Sequence, residues 1–494
     1  MSRYSTIFLF LTLAFLTFYN FSPETVFFTN DAAQTFAVAS LAFKGKLTLL
    51  GPPASLGGRH IGPAYYWYQN IVMLIVGGDS FRACVVDSIF KSFTIFTAIL
   101  ILAKAWGFKS NTRFFLFTAL ILLAGDWWWV IRVPWHSNFV SCLSFLTFST
   151  ICLSFKKEKT FHPLILTVIL GLSHNAAIPA SGVYLLALAA NSYLKMERQL
   201  LNRKLILLLI TAFLFIIYFK NNIVISLLNH LKADNILINA ENSLELFYQF
   251  FFLNIANHIP SFAGFLVVIP WGVYILIKNF SSLIYVRKGS LILLISLPLA
   301  YAFSLVFISP QLHFLNTIRL VPLLFIALSA VLVVEQEKKL KLLQGLYLFL
   351  CGIIICPAIY ANLSKFSYFP YATVNSLRHA EEVANIIKQD EYFTKDTTVR
   401  TAKKKQERQN AYLYFLGEDY FSKMDNAKKF SEFSEFDFSN QADCNNVYLI
   451  SCEGEDSREL ITKRLLGNHD LVKKISLEKC STCQGCELEV FRCR

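Results

Sequence analysis

"YYWYQNIVMLIVGG", residues 65–78, decides how the chain is laid out. It is apolar enough to enter a bilayer, but it is short and led by aromatics. If it crosses, every later loop changes side. The basic residues settle the choice, because Lys and Arg collect in cytoplasmic loops. With the segment lying along the surface, one side receives Arg3, then Lys104, Lys109 and Arg113, then Lys156, Lys157 and Lys159. The same side takes Lys195, Arg198, Arg203 and Lys204, then Lys278, Arg287 and Lys288, then Lys338, Lys339 and Lys341. A crossing would scatter this set, so residues 65–78 read as a surface helix, and "TFAVASLAF" (35–43), with apolar residues at helical spacing, reads as another within the external loop 23–81.

The composition fits a polytopic membrane protein. Of 494 residues, 55% are hydrophobic and 16% charged, with 47 Phe and a mean hydropathy of +0.48. Soluble domains carry about 25% charged residues. The net charge of +13 therefore reads as loop charge against anionic lipid rather than a nucleic-acid surface. Apolar runs predict about eleven spans, near 4–22, 82–103, 114–131, 137–155, 161–174, 177–194, 204–219, 261–279, 290–308, 318–334 and 341–361. The first run lacks a small-x-small cleavage site, so it reads as a retained helix. The fold class expected is mainly α, with a small soluble α/β domain at the C-terminus. The division falls at 1–362 and 363–494, where "RHAEEVANIIKQDEYFTKDTTVRTAKKKQERQ" replaces apolar sequence.

An odd number of spans with the N-terminus inside puts that C-terminal domain outside. Its Cys444, Cys452, Cys480, Cys483, Cys486 and Cys493 then read as disulfide partners. "CSTCQGC" also has the spacing of a zinc or iron–sulfur site. "SLRHAEEVANIIKQ" has helical spacing; "NNVYLISC" and "ELEVFRC" read as strands. Residues 220–260 fall outside by the same count and read as a loop over the site.

The outward loops gather Asp31, Arg59, His60, Arg132, His136 and His174, with Arg82 at the interface. Ionisable groups at a membrane edge are costly unless paired or functional. Each also has a plain structural reading. Asp31, the lone charge in "FTNDAAQTF" (28–36), is a good cap for the helix that begins "AAQTFAVASLAF". Arg132 and His136, in "DWWWVIRVPWHSN", fit an aromatic belt with a snorkelling Arg. His174, in "GLSHNAAIPA", fits a structural turn. Arg82 anchors a helix or holds a lipid phosphate. Arg59 and His60 sit in "GPPASLGGRHIGPAYYW" (51–67), whose Gly and Pro define a long loop of the kind that carries function. No P-loop, GxSxG or HExxH motif is present.

Taken in order, "TNDAAQ", "KGK" (44–46), "LLGPPASLGGRHIGPAYYW" (49–67), "GGDSF" (77–81), "RVPWHSNF" (132–139) and "GLSHNAAIPA" (171–180) resemble the GT-C membrane glycosyltransferases. The resemblance is to the branch of the protein mannosyltransferases and the lipid A aminoarabinose transferase, and is clearest over 1–180. His136 and Ser137 depart from that branch's Asn-Pro, and the Gln before His174 is missing.

The resemblance implies transfer of a hexosyl or pentosyl group from a polyprenyl-phosphate donor on the outer face of a bacterial inner membrane. The acceptor would be an envelope glycolipid such as lipopolysaccharide, a polysaccharide or a protein. Asp31 matches the family's catalytic base. Ala32 stands where many members have Glu, which counts against a divalent metal. No other cofactor is implied. Arg59, His60, Arg82, Arg132, His136 and His174 are then substrate-binding candidates. A flippase for a lipid-linked saccharide also needs an outward polar cavity, but it leaves the 23–81 loop without a purpose.

Overall fold

The computed structural model describes residues 3–28, 30–45, 63–108, 111–124, 127–156, 161–174, 177–194, 271–275, 283–307, 321–335, 349, 376–401, 409–417, 419, 446–452, 462, 465–466, 469–477 and 486–493. Arg59, His60, the 220–260 segment, the span near 204–219 and the domain boundary near 362 lie outside them.

The helices are α1 Arg3–Phe18, α2 Asn30–Ser40 with a 3-10 turn Leu41–Lys44, α3 Ala64–Ile75, α4 Ser80–Trp106, α5 Asn111–Ala124, α6 Trp127–Arg132, α7 His136–Lys156, α8 Phe161–Gly171, α9 Ile178–Leu194, α10 Tyr285–Phe307, α11 Val321–Glu335, α12 Leu377–Lys388 and α13 Gln409–Leu416. Strands β1 Thr398–Thr401, β2 Val447–Cys452, β3 His469–Ser476 and β4 Cys486–Cys493 complete the described elements.

Two described helices, α4 and α7, are long and apolar enough to cross a membrane. They pack side by side, and α7 also meets α8, α9 and α10. Their shared core runs from Leu9 and Leu13 through Ile95, Ile99 and Leu102 to Phe145 and Phe148. The expected third span near 114–131 is divided between α5 and the short α6.

The ends of α4 are fixed by different devices. Asp79 caps its start, accepting the Arg82 backbone N–H at 2.8 Å. Gly107, at φ +76°, closes its end in the left-handed conformation. There the Arg287 guanidinium donates to the Trp106 carbonyl at 2.8 and 3.1 Å, placing a cation at the negative end of the helix dipole. Lys104 and Lys156 lie at this same end, where Lys156 donates to the Lys104 carbonyl.

Helix α3 has twelve residues, about 18 Å of helix, which is short of the ~30 Å hydrocarbon core. It buries Tyr65, Tyr66, Gln69, Asn70, Val72 and Met73. Trp67, Ile71, Leu74 and Ile75 stay exposed. One face packs on protein and the other is apolar and open.

Helix α2 departs from the expectation of a second surface helix. Ala32, Ala33, Phe36 and Ala39 are buried in a core shared with α3, the start of α4, α12, α13 and the sheet. The Phe28 ring meets those of Tyr414 and Phe415 at a tilt, and the Phe36 ring meets Tyr414 edge-on. The apolar stripe that reads as a membrane face is covered by α13 instead.

The C-terminal elements form a four-stranded sheet in the order β1-β2-β4-β3, parallel between β1 and β2 and antiparallel elsewhere. Ser376 caps α12, and His379 on that helix hydrogen-bonds the Tyr412 hydroxyl of α13 at 2.8 Å. The sheet's Cys486 is disulfide-bonded. Leu377 and Arg378 donate backbone bonds to the carbonyls of Val26 and Pro23. These elements are therefore stitched to the loop after α1. The buried Cys84, Cys142 and Cys152 are not disulfide-bonded and pack in the core.

Candidate active site

One end of the helix bundle collects the polar groups. Asp31 lies in the first turn of α2, one residue inside the helix. Its Oδ2 accepts the Trp135 indole N–H at 2.9 Å, while its own carbonyl accepts the Thr35 hydroxyl. The carboxylate thus faces the α6–α7 corner. Burial raises the Asp31 pKa above the ordinary carboxylate value, and the Trp135 hydrogen bond partly opposes the rise.

His136 follows Trp135 at the start of α7. Its ring stacks on that of His174, with centroids 4.7 Å apart and planes 8° from parallel. Both are buried, and the Tyr65 and Trp135 rings meet His136 edge-on. The Ala64 N–H donates to the Leu172 carbonyl at 3.1 Å, which ties α3 to the turn carrying His174. Asp31, His136 and His174 are in this way brought to a common place through Trp135.

Arg132 reaches the same end but is occupied otherwise. Its guanidinium donates to the carbonyls of Tyr19 and Asn20 at 2.9 and 2.8 Å. It lies over the Phe21 and Trp128 rings at 5.0 and 5.3 Å. These are carbonyls just beyond the end of α1, so Arg132 fixes where that helix stops. Arg82 is largely exposed and pairs loosely with Asp79 at 3.7 Å. Asp79, Ser80, Phe81, Glu381 and Tyr414 line a groove of about 450 Å³ between the start of α4 and helices α12 and α13.

Three further groups were not anticipated from sequence. Asp87 and Lys91 form an ion pair inside α4 with no solvent exposure on either side chain. Gln69 of α3 donates to Asp87 at 3.0 Å. The available signal was the i, i+4 spacing of two opposite charges in "VVDSIFKSF", which places both on one helix face. A run of mean apolar character conceals it.

No protein-family model and no curated protein sequence matches this chain. The likeness is in the fold, and it is to solved structures of low sequence identity. The chain is similar to ArnT from Cupriavidus metallidurans in the apo state, with a TM-score of 0.52 at 10% identity. The alignment covers 98% of this chain and 97% of that one. The same ArnT bound to undecaprenyl phosphate gives a TM-score of 0.49 at 10% identity, with the same coverage. The archaeal oligosaccharyltransferase AglB from Archaeoglobus fulgidus, in complex with an inhibitory peptide and a dolichol-phosphate, gives 0.44 at 12% identity. It covers 91% of this chain and 69% of that one.

Proposed function

We propose that the chain is an integral-membrane glycosyltransferase that moves a sugar from a polyprenyl-phosphate donor to an acceptor of the cell envelope, with Asp31 as general base. The observation that carries this reading is the Asp31 carboxylate held by Trp135 beside buried His136 and His174. It sits on a fold that follows ArnT along nearly its whole length. ArnT is a protein crystallised with undecaprenyl phosphate.

The chemistry asks little of the protein. The acceptor hydroxyl attacks the anomeric carbon as Asp31 takes its proton. The bond from that carbon to the lipid phosphate breaks, and the phosphate leaves with the electron pair. A positioned base contributes about 10²–10⁴-fold. Single displacement inverts the anomeric centre.

The leaving phosphate needs cationic donors. Arg82, exposed beside the groove, and Arg59 and His60 in the Gly-Pro loop fit that role without a metal. Arg132 does not, since its donors already serve backbone carbonyls. In this reading about eleven spans place the N-terminus in the cytoplasm and the C-terminal elements in the periplasm. The sugar is a hexose or pentose.

The test is transfer from a pool of polyprenyl-phosphate sugars to native envelope acceptors in membranes. Asp31→Asn is compared with wild type at equal protein level. A loss of at least ~10²-fold supports the base; unchanged transfer removes it. A product with retained anomeric configuration removes the single displacement. No transfer by wild type with any donor points to lipid-linked saccharide transport.

A further inference from the structure

Helix α4 buries two charges where apolar side chains would serve its packing. A buried ion pair is seldom more stable than a hydrophobic replacement, so its presence here calls for a geometric task. The task is visible at the corner between α6 and α7. The Val133 carbonyl there accepts three donors: the Trp135 backbone N–H at 2.8 Å, the Asn138 side-chain amide at 3.1 Å and the Lys91 ammonium at 2.7 Å. Pro134 stands between Val133 and Trp135 and has no N–H to contribute. The ammonium is the charged member of the three donors, and charge-assisted hydrogen bonds are the strong ones. Asp87 neutralises it and accepts from Gln69 of α3.

We propose that the Asp87–Lys91 pair is a positioning device: Lys91 holds the Val133–Trp135 turn so that the Trp135 indole meets Asp31. Through Gln69 the same pair ties that turn to the surface helix α3. The value of this for catalysis rests on Asp31 being the base; the geometry itself does not. Lys91 acts through Val133 and Trp135 and touches no substrate in this account.

The experiment uses the full chain in nanodiscs, labelled with 5-fluorotryptophan. It has seven tryptophans, and Trp135→Phe identifies the Trp135 fluorine resonance. In the otherwise wild-type protein, Asp31→Asn shifts that resonance, because the indole's acceptor changes from carboxylate to amide. In an Asp87→Asn/Lys91→Met background the resonance starts at a new position and its response to Asp31→Asn is lost. Removing both charges together leaves no orphaned ion. If this double variant does not give monodisperse protein, Asp87→Leu/Lys91→Leu, which also leaves no donor toward Val133, is read in its place, with the same expectation.

A Trp135 resonance at its wild-type position, with its full response to Asp31→Asn, overturns the proposal even if the variant melts lower. That result leaves the pair a packing feature. An intact Trp135 response combined with transfer that ignores Asp31→Asn is a different failure. It removes the base and leaves the positioning geometry standing.

Discussion

Burial and the Trp135 indole pull the Asp31 carboxyl in opposite directions, and burial prevails. Between the ordinary carboxylate value and the raised one, the native protein holds a proton that the unfolded chain has lost. Stability therefore falls as pH rises through that window. Asp31→Asn cannot titrate and still presents an acceptor oxygen to Trp135. It is expected to melt higher than wild type at neutral pH, with the difference vanishing below the ordinary carboxylate range. Melting curves of both proteins across pH check this, and an equal or lower midpoint at neutral pH counts against it. Trp135→Phe removes the influence that lowers the Asp31 pKa. Activity that needs the carboxylate ionised is lost as pH falls through its pKa, so the acid limb of the transfer rate moves to higher pH in this variant. An unmoved limb would show that the indole does not control the charge.

Single elements carry predictions of their own. Arg132→Ala removes the guanidinium bonds to the Tyr19 and Asn20 carbonyls just beyond α1, and leaves Asn20 the Thr25 hydroxyl as a donor. It should cost about 1.5–3 kcal/mol, the typical worth of hydrogen bonding to a charged group, since Tyr19 and Asn20 are exposed and water can replace the lost donors. Denaturation of the purified chain measures it, and a change within ±0.5 kcal/mol would place Arg132 among ordinary surface residues. Where α10 crosses α7, a Cβ on Gly289 would lie 2.6 Å from the Phe155 ring. Gly289→Ala should destabilise by about 1–3 kcal/mol through overpacking, with less loss in a Phe155→Leu background. Additive effects would mean that the ring simply moves aside.

Local elements of this kind were legible in the amino-acid pattern. The length of residues 65–78, the Ser376-capped helix and the strands around Val447 and Glu487 follow from hydrophobic period and end signals. The covering of α2 was not legible, because an alanine-rich stripe looks the same whether lipid or α13 lies over it. Asp31 stood out as a lone charge, yet its partner did not, since Trp135 is one aromatic in a belt. The Asp87–Lys91 pair escaped because two opposite charges barely change the apolar character of a 27-residue helix.

At the scale of the molecule, the C-terminal sheet and the helix that carries Asp31 share one core. Phe28, 1% exposed, stands at its centre between Phe36, Tyr414 and Phe415. Phe28→Ala should cost about 3–5 kcal/mol. The C-terminal elements and α2 should then lose protection together in hydrogen exchange, while an α2 that exchanges independently of α12 and α13 would separate the two units. The exposed face of α3 has a further consequence. In the proposed reading, Trp67, Ile71, Leu74 and Ile75, all exposed, would moor the site at the depth where headgroups meet acyl chains. A substrate that is itself lipid-anchored then arrives by lateral diffusion in two dimensions. The quantity that saturates such an enzyme is the donor's mole fraction in the bilayer, and diluting the membrane with inert lipid should slow it at constant bulk concentration.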